Sequence, residues 1–156
     1  MRRKDREVTD PKKIREIIEA CHCCRLGFCD KGRAYMVPLS FGFAEENGSY
    51  VFYFHSAKKG RKIDLIRENG YCSFEMDTNY RLNENETACE YSARFQCVMG
   101  EGPVAFVEGA EEKRAALMAI MEHYTEKRDW EFADKMLEAV CVFRLEVKEL
   151  SCKEHV

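Results

Sequence analysis

Ser56, Lys58, Lys59, Arg61 and Lys62 crowd around Ala57 and Gly60, directly after the alternating run Tyr50 to His55. Side chains of these types, so placed, suit the holding of an anion. Arg61 and Lys62 open a stretch with helical spacing at Ile63, Ile66 and Arg67. A helix N-terminus already carries partial positive charge and unpaired backbone N–H groups. Two cations placed there are unfavourable by about a few tenths of a kcal/mol each. A bound anion reverses that sign and accepts the free N–H groups. Ser56 adds a hydroxyl donor and Gly60 permits close backbone approach, so the expected ligand group is a phosphate. The competing reading is a solvated turn with ordinary surface lysines, and Lys58 and Lys59 are read that way.

Two other groupings bear on chemistry. His55 has a side chain whose ordinary pKa near 6.5 suits an acid or base, and it equally suits a strand-end residue that positions a ligand or packs against it. The run "CHCCRLGFC" offers Cys21, His22, Cys23, Cys24 and Cys29. Cys21 and Cys24 form one pair at C-x₂-C spacing, but a closed metal site needs a matching second pair, and none follows. Core or interface thiols are therefore expected, with no metal. His22, His123 and His155 have no partner pattern. Tyr91 and Trp130 are expected to pack rather than stack on a ligand. No Ser-His-Asp or Cys-His order points to nucleophilic catalysis, and neither G-x-G-x-x-G nor G-x-x-x-x-G-K-[ST] is present.

The elements that must position these residues belong to a chain of 156 residues, enough for one domain and one core. The net charge of −3 argues against bulk attraction to nucleic acid or anionic lipid, so the basic cluster is local. No apolar run approaches the roughly 20 residues of a membrane span. "MRRKDREVTD" has charge without an apolar region behind it, so no signal peptide is expected. Nine cysteines, an odd number without a mark of secretion, suggest a reducing cytoplasm. Cys29, Cys72, Cys97 and Cys141 are expected to act as small hydrophobes in strands.

Asp10 and Pro11 start a short amphipathic helix through Ile14, Ile17, Ile18 and Cys21. "CRLGFCD" and "RAYMVPLSFGF" flank "DKG" as a hairpin, with Pro38 marking an edge or a bulge. "EENG" turns the chain into the strand that ends at Ser56. A helix follows to Asn69-Gly70, then a strand "YCSFEMD", then "TNYRLNENETACE" as an exposed loop. "YSARFQCVMGEG" and "PVAFVE" read as one long strand broken near Gly100, Gly102 and Pro103. "AEEKRAALMAIMEHYTEK" is the clearest helix, Trp130 to Leu137 a shorter one, and "AVCVFRLEVKEL" a closing strand. The sum is five to seven mostly antiparallel strands with inserted helices, an α+β barrel.

"YFHSAKKGRKIDLI" resembles the signature of the pyridoxamine-phosphate-oxidase-like flavin-binding split barrels. It is most similar to their nitroimidazole-resistance (Nim-type) branch, whose pattern is close to Tyr-Phe-His-Ser-Ala-x-x-Gly-x-Lys. "CRLGFCDKGRAYMVPLSFGF", "ACEYSARFQCVMGEGPVAFVE" and "FRLEVKEL" agree in order, from about residue 3 to residue 150. The resemblance implies an FMN-binding split β-barrel with peripheral helices, one domain over residues 1–156. It places the FMN phosphate on the segment holding Ser56, Ala57, Gly60, Arg61 and Lys62, with His55 flanking it. Val37, Pro38, Leu39 and Ser40 fall on the family strand whose backbone meets the flavin ring, and Arg94 and Gln96 lie near a strand that reaches the cofactor. Ser40 and Phe43 depart from the Asn and Tyr more usual in the Nim pattern. FMN is favoured over FAD, since no second phosphate-binding signature is present.

The activity implied is flavin-dependent reduction of a small molecule, with nitroimidazole-type compounds suggested by the branch and no nucleic-acid or membrane partner. The alternatives are a flavin store or sensor and a pyridoxamine-phosphate oxidase proper. The latter is disfavoured because "LSCKEHV" lacks that enzyme's segment rich in Arg and Trp. A haem-binding relative is more remote. A barrel this small is filled by its own side chains, so the flavin is expected in a groove covered by a second subunit of a homodimer.

Overall fold

Asp10 caps the first helix, α1 (Pro11–Ala20), its side chain accepting from the Lys12 N–H at 3.1 Å, with Pro11 at the first helical position. Its inward stripe, Ile17, Ile18 and the following Cys21, is buried. The chain then forms a hairpin of β1 (Cys24–Asp30) and β2 (Arg33–Leu39). Lys31 and Gly32 make its two-residue turn with φ of 50° and 79°, both left-handed, as the twist of a tight hairpin demands. The computed structural model describes residues 3–46, 48–125 and 127–155. Of the expected "EENG" turn, Asn47 lies outside the described residues.

Next come β3 (Gly42–Glu46), β4 (Ser49–Ser56), α2 (Arg61–Asn69), β5 (Tyr71–Asn83) and β6 (Ser92–Phe106). After them follow α3 (Ala110–Tyr124), α4 (Asp134–Ala139), β7 (Cys141–Glu146) and β8 (Glu149–His155). The eight strands pair antiparallel in the order β2-β1-β5-β6-β7-β4-β3, with β8 also on β6. The two ends of this path, β2 and β3, are joined in sequence by Ser40 and Phe41 alone. The sheet must therefore curl until its edges meet. Among the described residues no ladder seals β2 to β3, which makes the barrel a split one. Pro38 sits opposite Arg25 on β2, an edge strand with unbroken register, where a missing N–H is tolerated.

Phe41, Phe52, Phe54, Phe143, Leu26, Leu145 and Met76 fill the interior. Each such side chain contributes roughly 1.5–3 kcal/mol by leaving water. A second cluster lies outside the barrel wall, where α3 covers Val51, Tyr53 and Val142 with Ala116 and Ile120. This contact depends on Gly42, because a Cβ there would meet the α3 backbone at Ala119 and Ile120 at 2.3 Å.

Several elements differ from the expectation. "TNYRLN" is not loop but the second half of β5, which pairs with β6 as far as Asn83↔Ser92 across an irregularity between Thr78 and Arg81. This ribbon faces water, so no apolar alternation marks it. β6 runs unbroken through Gly100, Gly102 and Pro103. Its glycines serve close approach, since a Cβ on Gly102 would lie 1.8 Å from the Glu146 carbonyl oxygen. That crossing splits the closing strand into β7 and β8, and the expected strand "RAYMVPLSFGF" parts at Ser40 and Phe41 into β2 and β3, which together bring the strand count to eight. The short helix begins at Asp134 rather than Trp130, whose indole N–H instead bonds Thr125 Oγ1 at 3.2 Å. All nine cysteines are free thiols; Cys72 and Cys97 are buried, Cys141 is half-buried, and Cys29 is exposed because β1 turns it outward.

Candidate functional site

β4 ends at Ser56, and four residues later Gly60 stands as the N-cap of α2. Gly60 has φ 135° and ψ 164°, a backbone that L side chains rarely adopt, with open space where a Cβ would stand. Its carbonyl accepts from the Ile63 and Asp64 N–H groups. No side chain caps this helix, and the N–H groups of Arg61 and Lys62 have no acceptor among the described residues. The start of this nine-residue helix, with open N–H groups and two adjacent cations, fits an incoming phosphate.

Arg61 is already oriented. Its Nε and Nη2 both contact Asp30 Oδ2, at 2.8 and 2.5 Å, and its guanidinium lies over the Tyr35 ring at 4.4 Å. The hairpin thus holds the start of α2, and Asn69 holds its end by donating to the Cys29 carbonyl at 3.0 Å. Ile63, Leu65 and Ile66 anchor the helix between these points. Lys62 is half-buried and makes no ion pair among the described residues. Asp30 and Tyr35 were not among the residues expected at the site. They lie 31 and 26 positions upstream, where Asp30 reads only as a turn residue.

The other expected residues separate. The Ser56 hydroxyl donates to the adjacent Ala57 carbonyl at 2.8 Å rather than capping α2. Ser56 lies on the barrel face of β4, whereas His55 leaves on the opposite face, the one that carries Val51 and Tyr53 under α3. His55 is exposed there. Lys58 and Lys59 are exposed in the loop. Val37 and Leu39 turn toward the core, Pro38 and Ser40 toward solvent, and the free edge of β2 offers unpaired backbone groups.

Arg94 and Gln96 are not at the corner. Gln96 pairs with Thr78, seven residues along β5 from Tyr71, which corresponds to roughly 23 Å of strand. The Asp30 turn lies toward the Tyr71 end, as the register Gly27↔Ser73 shows. Gln96 is buried and fully engaged, its Oε1 accepting from Asn79 Nδ2 at 2.6 Å and its Nε2 donating to Glu154 Oε2 at 2.7 Å. Arg94 donates to Asn83 Oδ1 at 2.9 Å. These residues border a separate cleft of about 440 Å³ with Tyr80, Phe95 and His155.

Cys21 and Cys24, the candidate metal pair, are buried core thiols, and burial pushes Cys21 up to about 12. His123 is half-buried, and its Nε2–H donates to the Cys21 carbonyl at 2.7 Å.

Residues 10–154 match the family described as pyridoxamine 5'-phosphate oxidase. The chain belongs to that family. Among solved structures, this member is 31% identical to a Bacteroides thetaiotaomicron protein provisionally named for 5-nitroimidazole antibiotic resistance, with a TM-score of 0.82. The match covers 95% of this chain and 86% of that one. The fold also matches the flavocytochrome Anf3 of Azotobacter vinelandii, 20% identical at TM-score 0.81, over 100% of this chain and 72% of that one. A FAD and heme binding protein of Mycobacterium smegmatis shares the fold at TM-score 0.82 and 15% identity, over 96% of this chain and 73% of that one. No curated protein matches the chain. Among the described residues, no helix is long and apolar enough to cross a membrane.

Proposed function

We propose that this family member is an FMN-dependent oxidoreductase that passes electrons to a small molecule, with nitroaromatic compounds of the nitroimidazole type as the substrate class. The observation that carries the reading is the uncapped start of α2, where two open N–H groups stand beside Arg61 and Lys62. Family membership supports a flavin, and the name of the Bacteroides relative supports the substrate class. Electron transfer would be the cofactor's chemistry, while the chain supplies placement and charge.

Each residue then has a stated task. Arg61, oriented by Asp30 and Tyr35, and Lys62 hold the phosphate by charge-assisted hydrogen bonds. Gly60 keeps the approach open. The free backbone edge along Val37, Pro38, Leu39 and Ser40 addresses the polar rim of the ring, a contact independent of side-chain identity. His55, on the face of β4 away from Ser56, takes no part in holding the phosphate. A second copy of the chain covers the ring in a homodimer, because the barrel interior is filled by its own aromatic side chains.

The visible spectrum of the purified protein tests the first part: a yellow solution with a flavin band is expected, and a colourless protein that refuses added FMN ends the proposal. Anaerobic titration with NADH or NADPH, followed by a nitroimidazole, tests turnover. Bleaching and recovery of the band are expected, whereas a band that never responds leaves a flavin store in place of a reductase.

A further inference from the structure

Lys58, Arg67 and Lys113 come from three separate elements: the loop after β4, the last turn of α2 and the first turn of α3. They border one cleft of about 240 Å³. Glu108 is the carboxylate of its lining, and the half-buried Cys141 thiol opens onto it. The Arg67 guanidinium lies over the Phe106 ring at 5.5 Å and meets Asp64 at 3.4 Å. Among the described residues Lys58 and Lys113 form no ion pair. Cys141 feels all three cations: burial pushes its thiol up, while Lys113, Arg67 and Lys58 each pull it down. The three positive groups border this one cleft from three sides, with Lys58 and Arg67 also open to solvent.

Three cations against one lining carboxylate leave an excess of positive charge in the cleft, reduced on one side where Asp64 meets Arg67. A phosphate group, with about −1.5 to −2 charge at neutral pH, offsets that excess. The volume falls below the roughly 300 Å³ at which clefts begin to hold drug-sized ligands, so a flavin does not fit. A planar guanidinium fork and two ammonium groups match the oxygens of a phosphate.

We propose that this cleft is a second anion site, independent of the α2 N-terminus, which takes the phosphate group of inorganic phosphate or of a small phosphate monoester. Lys58, a solvated lysine on sequence grounds, gains a specific task.

The test uses the intact chain and reads alkylation of Cys141 by iodoacetamide, followed by peptide mass spectrometry, with exposed Cys29 and Cys89 as internal references. Inorganic phosphate or glycerol 3-phosphate should slow Cys141 alkylation about fivefold or more, while glycerol does nothing. Stronger protection by the ester assigns an organic ligand, and equal protection assigns the free ion. The Lys58→Ala/Lys113→Ala variant should lose the protection and Lys59→Ala should keep it; Lys58→Glu alone serves if the double variant misfolds. Protection that survives in the variants, or that never appears, overturns the proposal. So does loss of FMN binding in the double variant, because the cleft would then belong to the flavin site. A colourless protein sinks the flavin reading and leaves the Cys141 result untouched.

Discussion

Arg61 leans on Asp30, with Nε and Nη2 both against one carboxylate oxygen of a turn 31 residues upstream. Asp30 is thus an internal competitor for any phosphate that Arg61 is to hold. The pair is half-exposed and worth only about 0–1 kcal/mol, and the Tyr35 ring keeps the guanidinium in place without it. Asp30→Asn should therefore tighten FMN binding by about two- to fivefold, since Coulomb repulsion of the phosphate is relieved. Flavin fluorescence titration reads this, and weaker binding instead would show that Asp30 acts mainly by aligning Arg61.

Arg61→Ala combined with Lys62→Ala removes two charge-assisted partners, each worth roughly 1.5–3 kcal/mol. FMN affinity should fall by about a hundredfold or more. Replacing Lys58 and Lys59 together should change it less than about threefold, as expected of exposed charges. A larger effect of the second pair would move the phosphate away from the helix start.

Gly102→Ala places a methyl group 1.8 Å from the Glu146 carbonyl oxygen, where the chain turns from β7 into β8. Backbone must move, so a loss of at least about 2–3 kcal/mol is expected in urea unfolding. Gly32→Ala, with open space around it but φ of 79°, should cost less, about 1 kcal/mol.

Stability should fall at alkaline pH. Burial pushes Cys21, Cys72 and Cys152 up to about 12, against an ordinary 9. Between those values the unfolded chain has released protons that the folded chain still holds, so the unfolded state gains as pH rises. The urea midpoint should therefore decline from about pH 9 upward, and Cys→Ala at these positions should flatten the slope. On the acid side burial lowers His123, so the unfolded chain binds its proton first. Stability should begin to fall below about pH 6.5. A midpoint that stays level from pH 9 to 11 would contradict the thiol assignment.

The hydrophobic patterning was legible wherever one face of an element meets the core. α1, the Lys31-Gly32 turn, β4 and α2 stand where their spacing placed them, because periodicity, caps and turn residues act over a few positions, whereas the strand after that turn stops at Leu39, short of the expected Phe43. The far half of β5 was hidden, since a ribbon wet on both faces needs no apolar alternation and is held by backbone pairing to residues 92–96. The split of β7 from β8 was hidden too, because it is imposed by their crossing at Gly102 and not by any turn residue of their own.

The same division runs through the site. Local sequence determined a helix start with two cations and a glycine where an anion can land, and it did so because helix N-termini are local objects. Only the tertiary structure decided that Asp30 and Tyr35 grip Arg61, that His55 leaves on the face away from Ser56, and that Arg94 and Gln96 stand roughly 23 Å of strand away. Those facts depend on strand order and register, which bring distant segments together or keep them apart through contacts that no neighbouring residue encodes.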